Sequence, residues 1–102
     1  MREQTLLVLL GLADGPRHGY ALIATVEALS GGEVRLGPGT LYGALDRLTG
    51  QGLVETSGSE VVDGRTRRYY RLTGAGAEAV RAETSRLTAL ATQARRAVAR
   101  LA

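Results

Sequence analysis

The segment Pro38-Gly39-Thr40-Leu41-Tyr42-Gly43-Ala44-Leu45-Asp46-Arg47-Leu48 leaves this chain few folds to choose from. Leu41, Leu45 and Leu48 recur at i, i+4 and i+7, the spacing of one buried face of a short helix. Pro38 falls in the first turn, where its missing N–H costs nothing, behind Gly37 at the N-cap, and Gly52 supplies the stop. Thr40, Tyr42, Gly43, Asp46 and Arg47 are left on or beside the outward face. An outward Tyr and Arg can meet a polyanion such as DNA. Leu53-Val54-Glu55-Thr56 and Arg67 to Leu72 then read as two strands of a hairpin. Ser57 to Gly64 forms its end, and Asp63-Gly64 is a strong turn dipeptide. Period-two alternation puts Tyr70 and Leu72 on one face and Arg67, Tyr69 and Arg71 on the other, the face expected to be exposed.

Upstream, residues 2–13 read as a helix apolar nearly all round, and therefore central, ended by Asp14-Gly15-Pro16. His18-Gly19-Tyr20 opens a second helix with Leu22, Ile23, Val26 and Leu29 apolar, closed by Ser30-Gly31-Gly32. Val34-Arg35-Leu36 is a brief connector or a short strand. Thr73 caps a last helix running from about residue 75 to 101. Gly76 stands where a capping box would place Glu or Gln, so the cap is incomplete and the helix start is expected to fray. That helix carries Val80, Leu87, Ala94 and Leu101 at seven-residue spacing, with Leu90, Ala91, Ala97 and Val98 beside them. Such a stripe outruns what a small helical core can cover, so the simplest place to bury it is a second copy of the chain. The expected dimerisation residues are Val80, Leu87, Leu90, Ala91, Ala94, Val98 and Leu101; the alternative is a helix folded back on its own domain.

A chain of 102 residues supports one small domain, which buries only about 60–65% of the surface its unfolded form exposes. Its formal charge is +3, and all 13 basic residues are Arg. Arginine suits bidentate contacts to phosphate or guanine, although the codon bias of a GC-rich genome is the simpler source of the excess. Arg65, Arg67 and Arg68 form the densest cluster, and an exposed hairpin has little structural reason to hold them together; phosphate or minor-groove contact follows. Bland readings compete at each position. Tyr42 could pack on the helix surface, Arg47 could pair with Asp46 or Glu55, and Thr40 could stabilise the first turn. Tyr70 reads as core, Tyr69 as either, and His18 as a cap or packing residue.

The chain has no Cys and one His, which removes disulfides, thiolate metal sites and a cysteine nucleophile; no cofactor or metal is implied. It lacks a Gly-rich phosphate loop with a Lys, a Ser-His-Asp set that spacing would bring together, and a repeated carboxylate cluster, so it is not expected to be an enzyme. Its longest apolar run, Leu6 to Ala13, is far short of the roughly 20 residues that span a bilayer. Arg2 followed by Glu3 does not make the basic start of a signal peptide. No membrane association and a cytoplasmic location are expected.

His18-Gly19-Tyr20, Gly39-Thr40-Leu41-Tyr42, Leu45-Asp46-Arg47-Leu48, Gly52-Leu53-Val54 and Arg68-Tyr69-Tyr70-Arg71-Leu72-Thr73, in this order, resemble the PadR family of bacterial transcriptional regulators. The match covers nearly the whole chain, and the single last helix looks like the family's compact subgroup. The resemblance and the residue reading agree on a mostly α (α+β) fold. It is a winged helix-turn-helix over 1–73, with a long C-terminal dimerisation helix over 74–102. The resemblance further implies a homodimer that represses a gene by binding a palindromic operator in double-stranded DNA, with a small-molecule effector releasing it. It implies DNA contact by Tyr42 in the recognition helix and by the Gly64 to Arg68 stretch of the wing. With the residue reading, the candidate DNA-binding set is Thr40, Tyr42, Gly43, Arg47, Gly64, Arg65, Arg67 and Arg68. Two other functions fit the pattern less well: a winged-helix protein-interaction module, and a nucleic-acid binder of RNA or of DNA without sequence preference.

Overall fold

A computed structural model describes residues 1–102. Its elements in order are α1 (Glu3–Gly11), β1 (Arg17–His18), α2 (Gly19–Leu29), α3 (Pro38–Gly50), β2 (Val54–Val62), β3 (Arg65–Leu72) and α4 (Gly74–Ala99). Leu7, Val8, Leu9 and Leu12 of the first helical segment meet Leu22 and Val26 of α2 and Leu41, Leu45 and Leu48 of α3 in one core. Val54 and Tyr70 close it from the sheet. The approach of α1 to α2 is tight, since a β-carbon on Gly11 would lie 2.5 Å from Leu22 Cδ1. The Arg17 guanidinium donates to the Gly11 carbonyl at 2.8 Å, satisfying one of the acceptors that the end of α1 leaves free. Leu29, expected on the apolar face of α2, is half exposed.

The sheet has three antiparallel strands in the order β1-β3-β2. Two features depart from the sequence expectation. The hairpin is longer: β2 runs through Ser57-Gly58-Ser59 to Val62, so the stretch read as the hairpin end is mostly strand. A register shift between Thr56 and Gly58 leaves Ser57 as a bulged extra residue, which lets a Ser/Gly-rich segment stay paired. The reversal is confined to Asp63 and Gly64, at φ 50° and 75°, the two positive values that a tight type I′ hairpin turn requires. The second departure is β1, where Arg17 pairs with Tyr70 and His18 with Tyr69. Val34 to Leu36 forms no strand; Leu36 is buried in the core and Val34 packs against it.

α4 begins at Gly74 behind the Thr73 cap. Thr73 Oγ1 accepts from the Gly76 N–H at 3.0 Å and donates to the Gly52 carbonyl. A capping-box Glu is absent at position 76 for a steric reason, because a β-carbon there would lie 2.0 Å from the Leu53 carbonyl oxygen. The seven-residue stripe on α4 divides in two. Val80 packs against this chain's own core, while Leu87, Leu90, Val98 and Leu101 are exposed, as is Ala94; Ala91 is half-buried. Between the two parts Glu83 is only 7% exposed. Its carboxylate is 3.1 Å from the Met1 amino group and accepts a short hydrogen bond from Arg86. The remainder of α4 projects from the body, which gives the molecule extents of 60 × 28 × 21 Å. No helix is long and apolar enough to cross a membrane.

Candidate nucleic-acid interface

α3 buries Leu41, Ala44, Leu45 and Leu48. At about 100° per residue the middle of its opposite face is Gly39, Gly43, Asp46 and Gly50, all exposed. Tyr42 lies on one flank of that ridge; Thr40 and Arg47 lie on the other. The Tyr42 ring leans against the start of α2, where a β-carbon on Gly19 would be 2.3 Å from its hydroxyl oxygen and 2.6 Å from Cζ. The side chain is nevertheless 36% exposed, so one edge of the ring packs and the other faces out. Burial, and secondarily the neighbouring Tyr70 and Tyr20, push its phenol above the ordinary tyrosine value, with Arg68 opposing them. The group therefore stays a neutral O–H donor at physiological pH.

Beyond Tyr42, an open groove of about 570 Å³ runs between the helices and the hairpin, lined by His18, Gly19 and Tyr20 on one wall and by Asp63, Arg65, Thr66, Arg67 and Arg68 on the other. His18 caps α2 by accepting from the Ala21 N–H at 3.4 Å. Its ring meets Tyr69 edge-on at 5.6 Å. On the opposite flank Thr40, Ala44 and Arg47 face Arg2, Gln4 and Thr5 across a cleft of about 230 Å³. The expected set is thus divided, with Tyr42 and the wing residues on one side of α3, Thr40 and Arg47 on the other, and Gly43 on the ridge between them. Arg2 and Tyr20 join it without having been anticipated, because only the tertiary packing of α1 and α2 brings them there; Thr66 lies within the Gly64 to Arg68 stretch already expected.

Arg71 pairs with Glu55, Arg35 with Glu27, Arg17 with Asp14, Arg81 with Glu78 and Arg86 with Glu83, while Arg95, Arg96 and Arg100 at the far end of α4 are unpaired. Arg2, Arg47, Arg65, Arg67 and Arg68, which border α3 and line the groove, make no ion pair. Arg47 in particular pairs with neither Asp46 nor Glu55. The pleat of β3 divides the wing cluster, with Arg65 and Arg67 on one face and Arg68 on the face of Tyr70. Tyr70 is core, at 3% exposure. Tyr69 is occupied within the hairpin, its hydroxyl donating a short hydrogen bond to Glu60, which raises its pKa.

A neutral tyrosine edge, a helix face thinned by glycines and unpaired arginines on both flanks make a surface suited to a groove between two lines of phosphate. Residues 6–82 match the model of the transcriptional regulator PadR-like family. The chain belongs to that family. It is 44% identical over 79 residues to the transcriptional regulator Rv3488 of Mycobacterium tuberculosis, covering 78% of this chain and 70% of that one. It is 46% identical over 88 residues to an uncharacterised 37.1 kDa protein of a Streptomyces fradiae transposon; that match covers 86% of this chain, which spans only 24% of the relative's length. Among solved structures, a PadR family regulator from Clostridium difficile superposes with a TM-score of 0.79 at 20% identity, covering 95% and 99% of the two chains. Bacillus subtilis PadR in complex with operator DNA gives 0.71 at 19% identity, covering 81% of this chain and 47% of that one. The PadR-like fold is thus a transcriptional regulator's winged helix of four helices and a three-stranded sheet.

Proposed function

We propose that this PadR-like regulator is a cytoplasmic homodimer that binds a palindromic operator in double-stranded DNA and represses transcription. Residues 1–73 form the winged helix-turn-helix that reads DNA, and residues 74–102 form the dimerisation helix. The observation that carries the reading is the arrangement around α3: Tyr42 set against Gly19 with its outer edge free, between unpaired arginines on both flanks. In this reading α3 enters the major groove. Tyr42, Thr40, Gly43 and Arg47 lie at or beside base edges and phosphates, and the hairpin from Gly64 to Arg68 lies over the adjacent minor groove. The fold of the operator-bound Bacillus subtilis relative is in keeping with this. Leu87, Leu90, Ala91, Ala94, Val98 and Leu101 meet their counterparts in a second copy, which places two α3 helices about 34 Å apart on one face of the duplex. A small-molecule effector acts by shifting the dimer toward a geometry that cannot engage both half-sites. Footprinting on a duplex selected by the protein tests the reading. Two protected half-sites one helical turn apart are expected; a single patch, or uniform protection, contradicts it.

A further inference from the structure

We infer that Asp46 selects a cytosine in each half-site, an inference that rests on the DNA-binding reading above. Asp46 stands in the middle of the outward face of α3, exposed, with Gly43 one turn before it and Gly50 one turn after. A β-carbon built on Gly39, Gly43 or Gly50 would meet nothing within 4 Å. No other side chain projects along that ridge, so the helix can lie deep in the major groove and a short carboxylate can reach a base edge. The carboxylate has no ion-pair partner in the chain, and the adjacent Arg47 is turned to the flank that faces Arg2.

An unpaired anion here is disfavoured by the phosphates on either side. A hydrogen bond accepted from the DNA offsets this. An ionised carboxylate can only accept, and in the major groove guanine offers N7 and O6 and thymine offers O4, all acceptors that repel it. Adenine has its N6 donor beside the N7 acceptor, which opposes the second carboxylate oxygen. Cytosine presents its N4 amino donor with only C5–H on the outer side, so the guanine O6 of the same pair is the single acceptor beside it, whereas adenine N6 is flanked by both N7 and the thymine O4. Asp46 therefore acts as a specificity-determining residue, while the arginines on the two flanks supply affinity.

Selection from randomised duplexes, run in parallel on the wild type and D46A, tests this. The expected wild-type motif holds one cytosine in each half-site, and D46A loses that preference while keeping the rest of the palindrome. Replacing that C·G pair in the recovered duplex should weaken the wild type about tenfold and D46A by less than about twofold. In D46N, whose carboxamide also donates, the preference should move toward adenine. A wild-type motif that D46A leaves unchanged overturns the assignment of Asp46 and leaves the DNA-binding reading standing, as does loss of all binding by folded D46A. No motif from the wild type overturns the DNA-binding reading itself, and this inference with it.

Discussion

The Tyr42 ring fills the space that a side chain on Gly19 would need: a β-carbon there would lie 2.3 Å from the phenolic oxygen. The start of α2 is thereby a socket for a residue of α3, and the outer edge of the ring is aimed by packing rather than by a hydrogen bond. Gly19→Ala should destabilise the fold by about 1–3 kcal/mol through overpacking and lower DNA affinity by displacing the ring. In a Tyr42→Ala background the same change should cost little. Urea unfolding of the two single variants and the double variant measures the coupling.

Glycines of the two long helices should respond in opposite directions. Gly76→Ala gains about 1 kcal/mol of helix propensity but drives a β-carbon to 2.0 Å from the Leu53 carbonyl oxygen, so a net loss of stability is expected. Gly43→Ala meets nothing within 4 Å and should raise stability by up to about 1 kcal/mol while weakening DNA binding by holding the helix away from the bases. Thermal unfolding and anisotropy titration on the same samples separate the two effects.

These contrasts mark where the sequence stops being readable. The boundaries and buried face of α3 follow from Gly37, Pro38, three leucines and Gly52, all local signals, and the Asp63-Gly64 turn is equally local. The socket at Gly19 is not, because nothing near Tyr42 in the sequence announces which element its ring will meet. Ser57-Gly58-Ser59 reads as a loop by composition, yet a bulge keeps it in β2. β1 is two residues long and has no period to detect. Val80 and Leu87 occupy equivalent places in one seven-residue pattern, and only the tertiary position of α1 decides that the first belongs to the core and the second does not. The Arg81–Glu78 and Arg86–Glu83 pairs are local, at i,i+3 on one helix, whereas Arg71–Glu55 and Arg35–Glu27 depend on where the fold brings the carboxylates.

Glu83 links acid stability to the junction of α1 and α4. Arg86, through its hydrogen bond, and then the Met1 amino group hold the Glu83 carboxyl below its ordinary value near 4.5. A depressed folded-state pKa means that the stabilisation is complete above the unfolded value and is lost as pH falls from there through the folded value. Glu83→Gln should therefore lower stability at neutral pH and flatten its decline below about pH 4.5. Denaturant midpoints of both proteins across pH 3 to 7 check this.

Arg68 and Arg71 test what pairing means for DNA contact. Arg71 is bonded to Glu55 at 2.9 Å, whereas Arg68 has no carboxylate partner and lines the groove beside Tyr42. Arg68→Ala should weaken binding across sequences and reduce the slope of log affinity against log salt by about 1. Arg71→Ala should leave that slope unchanged.

The division of α4 makes a parallel prediction for assembly. Leu87→Asp, on the exposed part of the stripe, should yield folded monomers by light scattering, with DNA affinity falling as a consequence. Val80→Asp, against the chain's own core, should unfold the protein instead. Tyr42→Ala should weaken DNA binding and leave the dimer intact.

Selection of bound sequences by the wild-type protein from randomised duplex DNA, at about 150 mM salt where loose electrostatic association is screened, is the most direct measurement of whether this surface reads DNA as a dimer. A palindromic motif with half-sites one helical turn apart is predicted. Absence of enrichment by a folded, dimeric sample would contradict sequence-specific recognition by α3 and the wing.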